Sequence, residues 1–414
     1  MVEPDPAPIS QMEILRTFLI FGLLSFGGPV AHLAFMQREL VERRKWLDND
    51  EFLEVLAAIN LVPGPNSTEM AFHIGLLKGG FWGQMMAAIG FVLPAVVFSA
   101  VGAAIYVAAG TLPRESILWR LVQGILVGMK PIILVLIASA ALRLGVKALD
   151  NRAMRFLFGW ALLVTALTLP PLMGLMGLAP LPISEFLLLI LCGALYVIWR
   201  RRLSAGVLWW LPFVGVVGQV IEGIRPTALD LFARFVLIGG TLFGSGFVLA
   251  SYMERAFVLE TGWLTQQQLL DALAIGQATP GPVLSTSAAA GFIMTATPNN
   301  LWAGVIPALA SAVGVFLPAF VIVLLFGRVI PYVRRSAAVM DFLKGVNAGV
   351  IALLVGTFVT LTWGTLLVGG GVEWLSVGLL GAAFLASERW RWSALRLVGM
   401  GIIVGVMRAF LGWV

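Results

Sequence analysis

The stretch "INLVPGPNSTEM", residues 59–70, breaks an otherwise apolar part of the chain with a Pro-Gly-Pro sequence followed by amide, hydroxyl and carboxyl side chains. A second stretch of the same kind, "IGQATPGPVLSTS", occupies residues 275–287. Proline has no amide hydrogen, so a Pro-Gly-Pro sequence interrupts a helix. Within a bilayer, the backbone groups freed by such a break are tolerated only inside protein or beside a watery cavity. The two breaks are therefore candidates for functional positions.

The composition places the chain in a membrane. Of the 414 residues, 60% are hydrophobic and 12% are charged, whereas soluble domains carry about 25% charged residues. Apolar runs near the length of about 20 residues that crosses a bilayer recur along the whole chain, and we predict an all-α polytopic membrane protein with about 10–13 membrane segments. The runs are residues 12–34, 82–109, 117–142, 154–172, 185–199, 206–222, 232–253, 301–326, 340–366, 372–387 and 394–413.

Few residues are suited to catalysis or metal binding. Cys192 is the single cysteine, and His32 and His73 are the two histidines. The sequence thus offers no cluster for a transition metal or redox centre, and we predict no cofactor, no metal and no catalytic residue. The net charge of +6 is explained by basic loops retained in the cytoplasm. The expected partner is the lipid bilayer and not nucleic acid, and the sequence leaves a homodimer open.

Short motifs recur at a constant spacing of 217 residues. Pro63-Gly64-Pro65 returns as Pro280-Gly281-Pro282, and Trp46-Leu47 returns as Trp263-Leu264. Phe26-Gly27 and Arg38 recur at the same spacing, as Phe243-Gly244 and Arg255. A constant spacing in the same order indicates an internal repeat. We assign two homologous halves to residues 1–203 and 230–414, with 204–229 as a linking segment.

The charges of the loops orient each half. Basic residues concentrate near 143–155, 200–202, 328–335 and 389–396, whereas loop 367–373 has none. Because basic loops stay in the cytoplasm, the loop at 143–155 is placed inside and its counterpart at 367–373 outside. The halves would then cross in opposite senses, which is the inverted-topology repeat found in many secondary transporters.

The Pro-Gly-Pro segments allow two arrangements. The flanking stretches 51–62 and 66–79 are each too short to span a bilayer. Each pair of such stretches forms either one broken crossing or a re-entrant hairpin. We favour broken (half) helices that cross, although this leaves the basic stretch 37–45 outside.

Residues that favour helix N-termini follow both breaks. Asn66, Ser67 and Thr68 follow the first, and Ser285 and Thr286 follow the second. A helix N-terminus presents unpaired N–H groups and about half a positive charge, which together favour an anion. We predict that a small oxyanion binds there. The predicted substrate-binding residues are Ser25, Gly27, Gly28, Asn60, Pro63, Gly64, Pro65, Asn66, Ser67, Thr68, Lys130, Gly244, Gln277, Pro280, Gly281, Pro282, Ser285 and Thr286.

Charged residues complete the predicted site, because ionisable groups inside a membrane are costly and usually functional. Lys130 lies near the middle of an apolar run and would balance a bound anion. The alternative is a lysine that extends to the interface. Three carboxylates are candidates for proton coupling or for the polar face of a half-helix: Glu54, Glu69 and Asp271. Three arginines are candidates for attracting anions at the mouth, or for anchoring at the interface: Arg38, Arg43 and Arg44.

Several of these stretches together resemble the chromate ion transporter family. In the first half the resemblance rests on "SFGGPVAHLAFMQRELVERRKWL" (25–47), "LVPGPNSTE" (61–69) and "GFVLP" (90–94). In the second half it rests on "FGSG" (243–246), "WLT" (263–265), "QATPGPVLSTS" (277–287) and "GVFLP" (314–318). The resemblance implies a multi-pass protein of the bacterial inner membrane that exports chromate, driven by the proton-motive force. Import or exchange of sulfate or another anion, an anion channel and a membrane-embedded enzyme are the alternatives.

The inverted repeat predicts that residues 150 and 370 lie on opposite sides of the membrane. Single cysteines in place of Asp150 and Gly370, in a Cys192→Ala background, report this through an impermeant thiol reagent. We expect each cysteine to react from a different side. Reaction of both from the same side would contradict the inverted repeat.

Overall fold

The computed structural model describes residues 9–25, 29–59, 64, 66–179, 181, 183–201, 225–243, 246–327, 336–368 and 371–413. The described chain is almost entirely helical, which confirms the prediction of an all-α polytopic membrane protein. Five helical stretches are long and apolar enough to cross a membrane: Asn66–Ala109, Ile117–Ala148, Leu301–Phe326, Ala337–Leu366 and Ala394–Leu411. The predicted span 206–222 and the labelling position Gly370 lie outside the described residues.

The helices of the first half begin at residues that favour helix starts. Ser10, Ser116 and Asn151 each accept a hydrogen bond from a backbone N–H of the first turn, as N-cap residues do. The α-helices are α1 (Gln11–Leu24), α2 (Pro29–Gln37), α3 (Asn49–Ile59), α4 (Asn66–Ala109), α5 (Ile117–Ala148), α6 (Arg152–Ala166), α7 (Pro170–Leu175) and α8 (Glu185–Arg201). A π-helical turn, Arg38–Arg43, continues α2.

Two helices of the second half also begin at residues that favour helix starts. Capping boxes at Thr227 and Thr265 begin its first and third α-helices. The α-helices are α9 (Ala228–Thr241), α10 (Leu249–Met253), α11 (Gln266–Ala278), α12 (Thr286–Thr295), α13 (Val305–Phe326), α14 (Ala337–Leu366), α15 (Trp374–Glu388) and α16 (Ala394–Leu411). Short 3-10 turns lie at Gly246–Val248, Val283–Ser285 and Leu301–Gly304, a π-helical turn lies at Glu254–Glu260, and strands Leu367–Val368 and Gly371–Val372 pair as a hairpin.

Equivalent helices have equivalent bounds and packing. Both ends of α9 lie 217 residues after the ends of α1. Helix α1 packs on α4, and helix α9 packs on α13. At Gly22 a Cβ would overlap the carbonyl of Phe91, and at Gly239 it would overlap the carbonyl of Val315. The two helix pairs therefore meet through the same close glycine contact.

The predicted span 154–172 is divided between α6 and α7, and two further predicted spans are wrong as continuous crossings. In the run 12–34, α1 ends at Leu24 and α2 begins at Pro29. In the run 232–253, α9 ends at Thr241 and the next helical turn begins at Gly246. The physical reason is visible in the backbone: Ser25 and Leu242, the residues that follow the two helices, are both extended, with φ of −81°. The predicted span 82–109 is the second part of α4, beyond a kink at Gly80 with φ of 61°.

In each half, one long helix packs on the last helix of the other half. Helix α5 packs on α16, whereas α14 packs on α8. A Cβ on Gly128 would overlap the carbonyl of Gly401, and one on Gly345 would overlap the carbonyl of Cys192. Glycines of this kind let helix backbones approach closely in membranes. Contact between the halves thus depends on small residues in both of the long helices α5 and α14.

Candidate anion site

Each Pro-Gly-Pro break is tied to the opposite half by a backbone hydrogen bond. Gly64 N–H donates to the Leu242 carbonyl at 2.6 Å, and Gly281 N–H donates to the Ser25 carbonyl at 2.8 Å. The relation is reciprocal, because Leu242 follows Ser25 by the same 217 residues that separate the two glycines. Both glycines have positive φ, 134° at Gly64 and 95° at Gly281, a conformation that other residues rarely adopt.

The start of α4 and the residue that follows α1 carry buried polar atoms without a partner among the described residues. Ser25 is 4% exposed, and Thr68 and Glu69 are fully buried. The Oγ of Ser25, the Oγ1 of Thr68 and both carboxyl oxygens of Glu69 lack a hydrogen-bond partner there. Burying a polar group without a hydrogen bond costs about 1–3 kcal/mol on protein scales. A set of such groups at one helix N-terminus is what a site built for a polar ligand requires.

Glu69 lies directly against the first break. A Cβ added to Gly64 would overlap Oε1 of Glu69. Glycine at position 64 therefore serves both the backbone conformation and the space that this carboxyl group occupies. At the equivalent position of the second half the chain has Thr286, which carries no charge.

The hydroxyls of the second break are satisfied within the protein. Thr286 Oγ1 donates to the Val283 carbonyl at 2.8 Å, and Ser287 Oγ donates to the Leu284 carbonyl at 2.8 Å. Ser285 Oγ accepts a hydrogen bond from Ser99 at 3.2 Å. The sequence treats the two breaks as equivalent, but in the structure the unpartnered atoms are concentrated at the first.

Lys130 forms an ion pair between the halves. Its Nζ lies 3.0 Å from Oδ1 of Asp271 and donates to Oε1 of Gln267 at 2.7 Å. Both side chains of the ion pair are largely buried. Asp271 precedes Pro280 by nine residues, which is about 13 Å along a helix. The charge of Lys130 is therefore balanced by a carboxylate more than two turns from the second break.

The other predicted charges lie outside the buried cluster. Glu54 and Arg38 are exposed. Arg43 and Arg44 each contact Glu39 at 2.8 Å. Partial burial raises the pKa of Glu39, but the hydrogen bonds and charges of Arg44 and Arg43 outweigh it and hold that pKa below its usual value. Much of the charge at the predicted mouth is thus already paired.

The remaining predicted site residues either lie beside the breaks or fall outside the described residues. Gln277, half-buried near the end of α11, and the buried Pro280 and Pro282 border the second break. Asn66, partly buried, begins α4. Those outside the described residues are Gly27, Gly28, Asn60, Pro63, Pro65 and Gly244.

Two residues near the breaks were not predicted as binding residues. Ser99 contacts both Ser285 and Thr279, and His32 Nδ1 lies 3.2 Å from Ser67 Oγ. One signal for His32 is present in the sequence, because it is one of two histidines and follows the Gly-Gly-Pro motif closely. No local pattern marks Ser99, whose partners are 180 or more residues away.

The fold and the buried cluster define a polytopic membrane protein with polar groups at interrupted helices, an arrangement typical of secondary transporters. Comparison with known proteins then identifies the family. The family model described as Chromate transporter matches residues 12–219 and 229–406, so the chain belongs to the chromate transporter family. It is a multi-pass membrane transporter and not an enzyme.

Curated relatives agree with this assignment. The chain is 29% identical to a chromate transport protein of Pseudomonas aeruginosa, over 87% of this chain and 83% of the relative. It is 27% identical to a chromate transport protein of Cupriavidus metallidurans, over 84% of this chain and 82% of the relative. An uncharacterised transporter of Methanocaldococcus jannaschii is 23% identical, over 96% of this chain and 94% of the relative. No solved structure matches the chain.

The ion pair generates a prediction. Lys130→Ala should destabilise the protein by about 3–5 kcal/mol, because it leaves Asp271 buried without its counter-charge. The double variant Lys130→Met, Asp271→Asn should recover folding and transport, since neither charge remains. Thermal unfolding in detergent and chromate uptake per folded protein measure the two effects. A double variant that folds well but does not transport would contradict a purely structural pair and favour anion binding by Lys130.

Proposed function

We propose that the protein exports chromate, or a similar tetrahedral oxyanion such as sulfate, across the inner membrane and binds it at the N-terminus of α4. The observation that carries the proposal is the set of buried, unpartnered polar atoms of Thr68 and Glu69 at that N-terminus, together with that of Ser25 directly after α1. The names of the Pseudomonas and Cupriavidus relatives support chromate as the substrate.

The chemistry of this N-terminus favours an anion. A fully ionised oxyanion accepts hydrogen bonds and donates none. The first turn of a helix offers backbone N–H groups and a partial positive charge, and the hydroxyls of Ser25 and Thr68 add donors. The second break keeps its hydroxyls in internal hydrogen bonds. We therefore assign the anion to the first break and give the second a mainly structural role.

Glu69 is the best supported of the three proton-coupling candidates. Glu54 is exposed, and Asp271 is paired with Lys130. An isolated carboxylate in a dry site is too costly, so such a group takes up a proton. A bound dianion beside it would raise that cost further, because like charges repel. We infer that the proton and the anion bind together.

Joint binding of a proton and a dianion determines how much charge crosses the membrane with each exported anion. A dianion carried with one proton, which Glu69 releases together with the anion outside, takes one net negative charge outward. An inside-negative potential favours that movement by about 2.3 kcal/mol per 100 mV. Export would thus draw on the electrical part of the proton-motive force.

The reciprocal hydrogen bonds support a mechanism for alternating access. We propose that the halves form an inverted-topology repeat in which the bonds at Gly64 and Gly281 are the fixed points. Equivalent helices in such a repeat exchange conformations about a central site. The proposal places that site at the start of α4, next to the hydrogen bond of Gly64.

Thr68 tests the site. Thr68→Ala should raise the apparent KM for chromate about tenfold or more, because a hydrogen bond to a charged group is lost. Thr68→Ser retains the hydroxyl and should stay near wild type. Ser285→Ala is the matched control at the second break and should change little. The measurement is chromate uptake by inverted vesicles, normalised to folded protein. Absence of uptake by the wild type would refute the function, and an unchanged KM for Thr68→Ala would refute the site.

Glu69 tests the coupling. Glu69→Gln imitates the protonated carboxyl, so it should still transport the anion but lose the dependence of KM on pH. In the wild type KM should rise with pH, because deprotonated Glu69 repels the dianion. Uptake driven by an imposed membrane potential is measured at several pH values, with sulfate as a second substrate that stays a dianion. Wild-type pH dependence in Glu69→Gln would remove Glu69 from the mechanism.

A further inference from the structure

His32 is a buried side chain at the start of the first half's polar cluster. It lies in α2 and is 1% exposed. Its Nδ1 lies 3.2 Å from Ser67 Oγ, in the first turn of α4. The ring of Phe91 contacts the imidazole edge-on, with 5.7 Å between centroids. The ring is thus fixed by one polar contact and one aromatic contact.

The other nitrogen of this ring has no partner in the described part of the chain. Nε2 of His32 is buried and makes no hydrogen bond. The Ser25 carbonyl also faces the imidazole and accepts the N–H of Gly281 at 2.8 Å, but it makes no hydrogen bond with Nε2. A buried ring nitrogen left without a partner carries the same energetic cost as any other unsatisfied polar atom.

The contact with Ser67 bears on which nitrogen holds the hydrogen. When the Ser67 hydroxyl donates to Nδ1, the neutral imidazole carries its hydrogen on Nε2. Nε2 is then a donor that lacks an acceptor. An oxyanion supplies acceptors only, so it completes this arrangement.

The position of His32 joins it to the proposed site. Ser67 immediately precedes Thr68, whose hydroxyl also lacks a partner, and the Ser25 backbone interacts with the ring. The titratable groups near this turn are Glu69 and, one helical turn beyond it on α4, His73. Among the described residues, neither forms an ion pair with His32.

We propose that His32 is an anion-binding residue of the transport site, with Nε2–H donating to the oxyanion and Ser67 holding the ring in that tautomer. The inference rests on the proposed function, because it takes the oxyanion as the ligand. His32, in α2, would thus add a donor to the hydroxyls of Ser25, which follows α1, and of Thr68 in α4.

Two amide substitutions test the role of each ring nitrogen. The amide group of glutamine reaches about as far as Nε2, and that of asparagine about as far as Nδ1. His32→Gln should keep the KM for chromate within a few-fold of wild type, whereas His32→Asn should raise it about tenfold. His73→Gln is the matched control at the other histidine. Equal, wild-type KM values for both His32 variants would overturn the proposal.

A spectroscopic measurement tests the tautomer without altering His32. The chain has two histidines, so His73→Gln labelled with 15N-histidine gives the ring signals of His32 alone. We expect a hydrogen on Nε2 and a shift of that signal when chromate is added. A hydrogen on Nδ1, or no response to chromate in protein that transports it, would overturn the role of His32 and leave the proposed function standing. Absence of chromate transport by the wild type would overturn the function itself.

Discussion

The structure depends on a pair of backbone hydrogen bonds that cross between its halves. Gly64 donates to Leu242 and Gly281 donates to Ser25, and each bond satisfies groups that Pro-Gly-Pro and the end of a helix would otherwise leave free in a bilayer. Unsatisfied groups there cost several kcal/mol each. The bonds therefore hold both breaks in place and bring four chain interruptions together. The glycine contacts of α5 and α14 add packing between the same halves.

The two Pro-Gly-Pro breaks share this backbone geometry but carry different side chains. The first break has Glu69 where the second has Thr286, and it leaves Thr68 unpartnered where Ser285 contacts Ser99. Under the proposed mechanism, the two equivalent backbones would serve alternating access, while the first break alone would bind the ligand. Under the proposed function, backbone dipoles and neutral donors at the first break would take the place of a counter-ion for a bound dianion.

The sequence predicts the helical membrane fold, the breaks and the need for Gly64 and Gly281, because apolar length, proline and glycine act locally. It also predicts the spacing of the repeat, which the helix bounds and the reciprocal bonds follow. It does not predict which carbonyls accept the glycine amides, nor that Lys130 pairs with Asp271. Those contacts join residues more than a hundred positions apart, and no periodicity encodes them. For the same reason the sequence does not show that Ser99 contacts the second break.

The most direct test of the central claim is a structure of the wild-type protein in lipid nanodiscs with chromate bound. The account predicts density for the anion within hydrogen-bonding distance of Thr68 Oγ1 and the first-turn amides of α4, with the hydrogen bonds of Gly64 and Gly281 intact. Chromate bound beside Lys130 and Asp271, or beside Ser285, with no density at the start of α4, would contradict it.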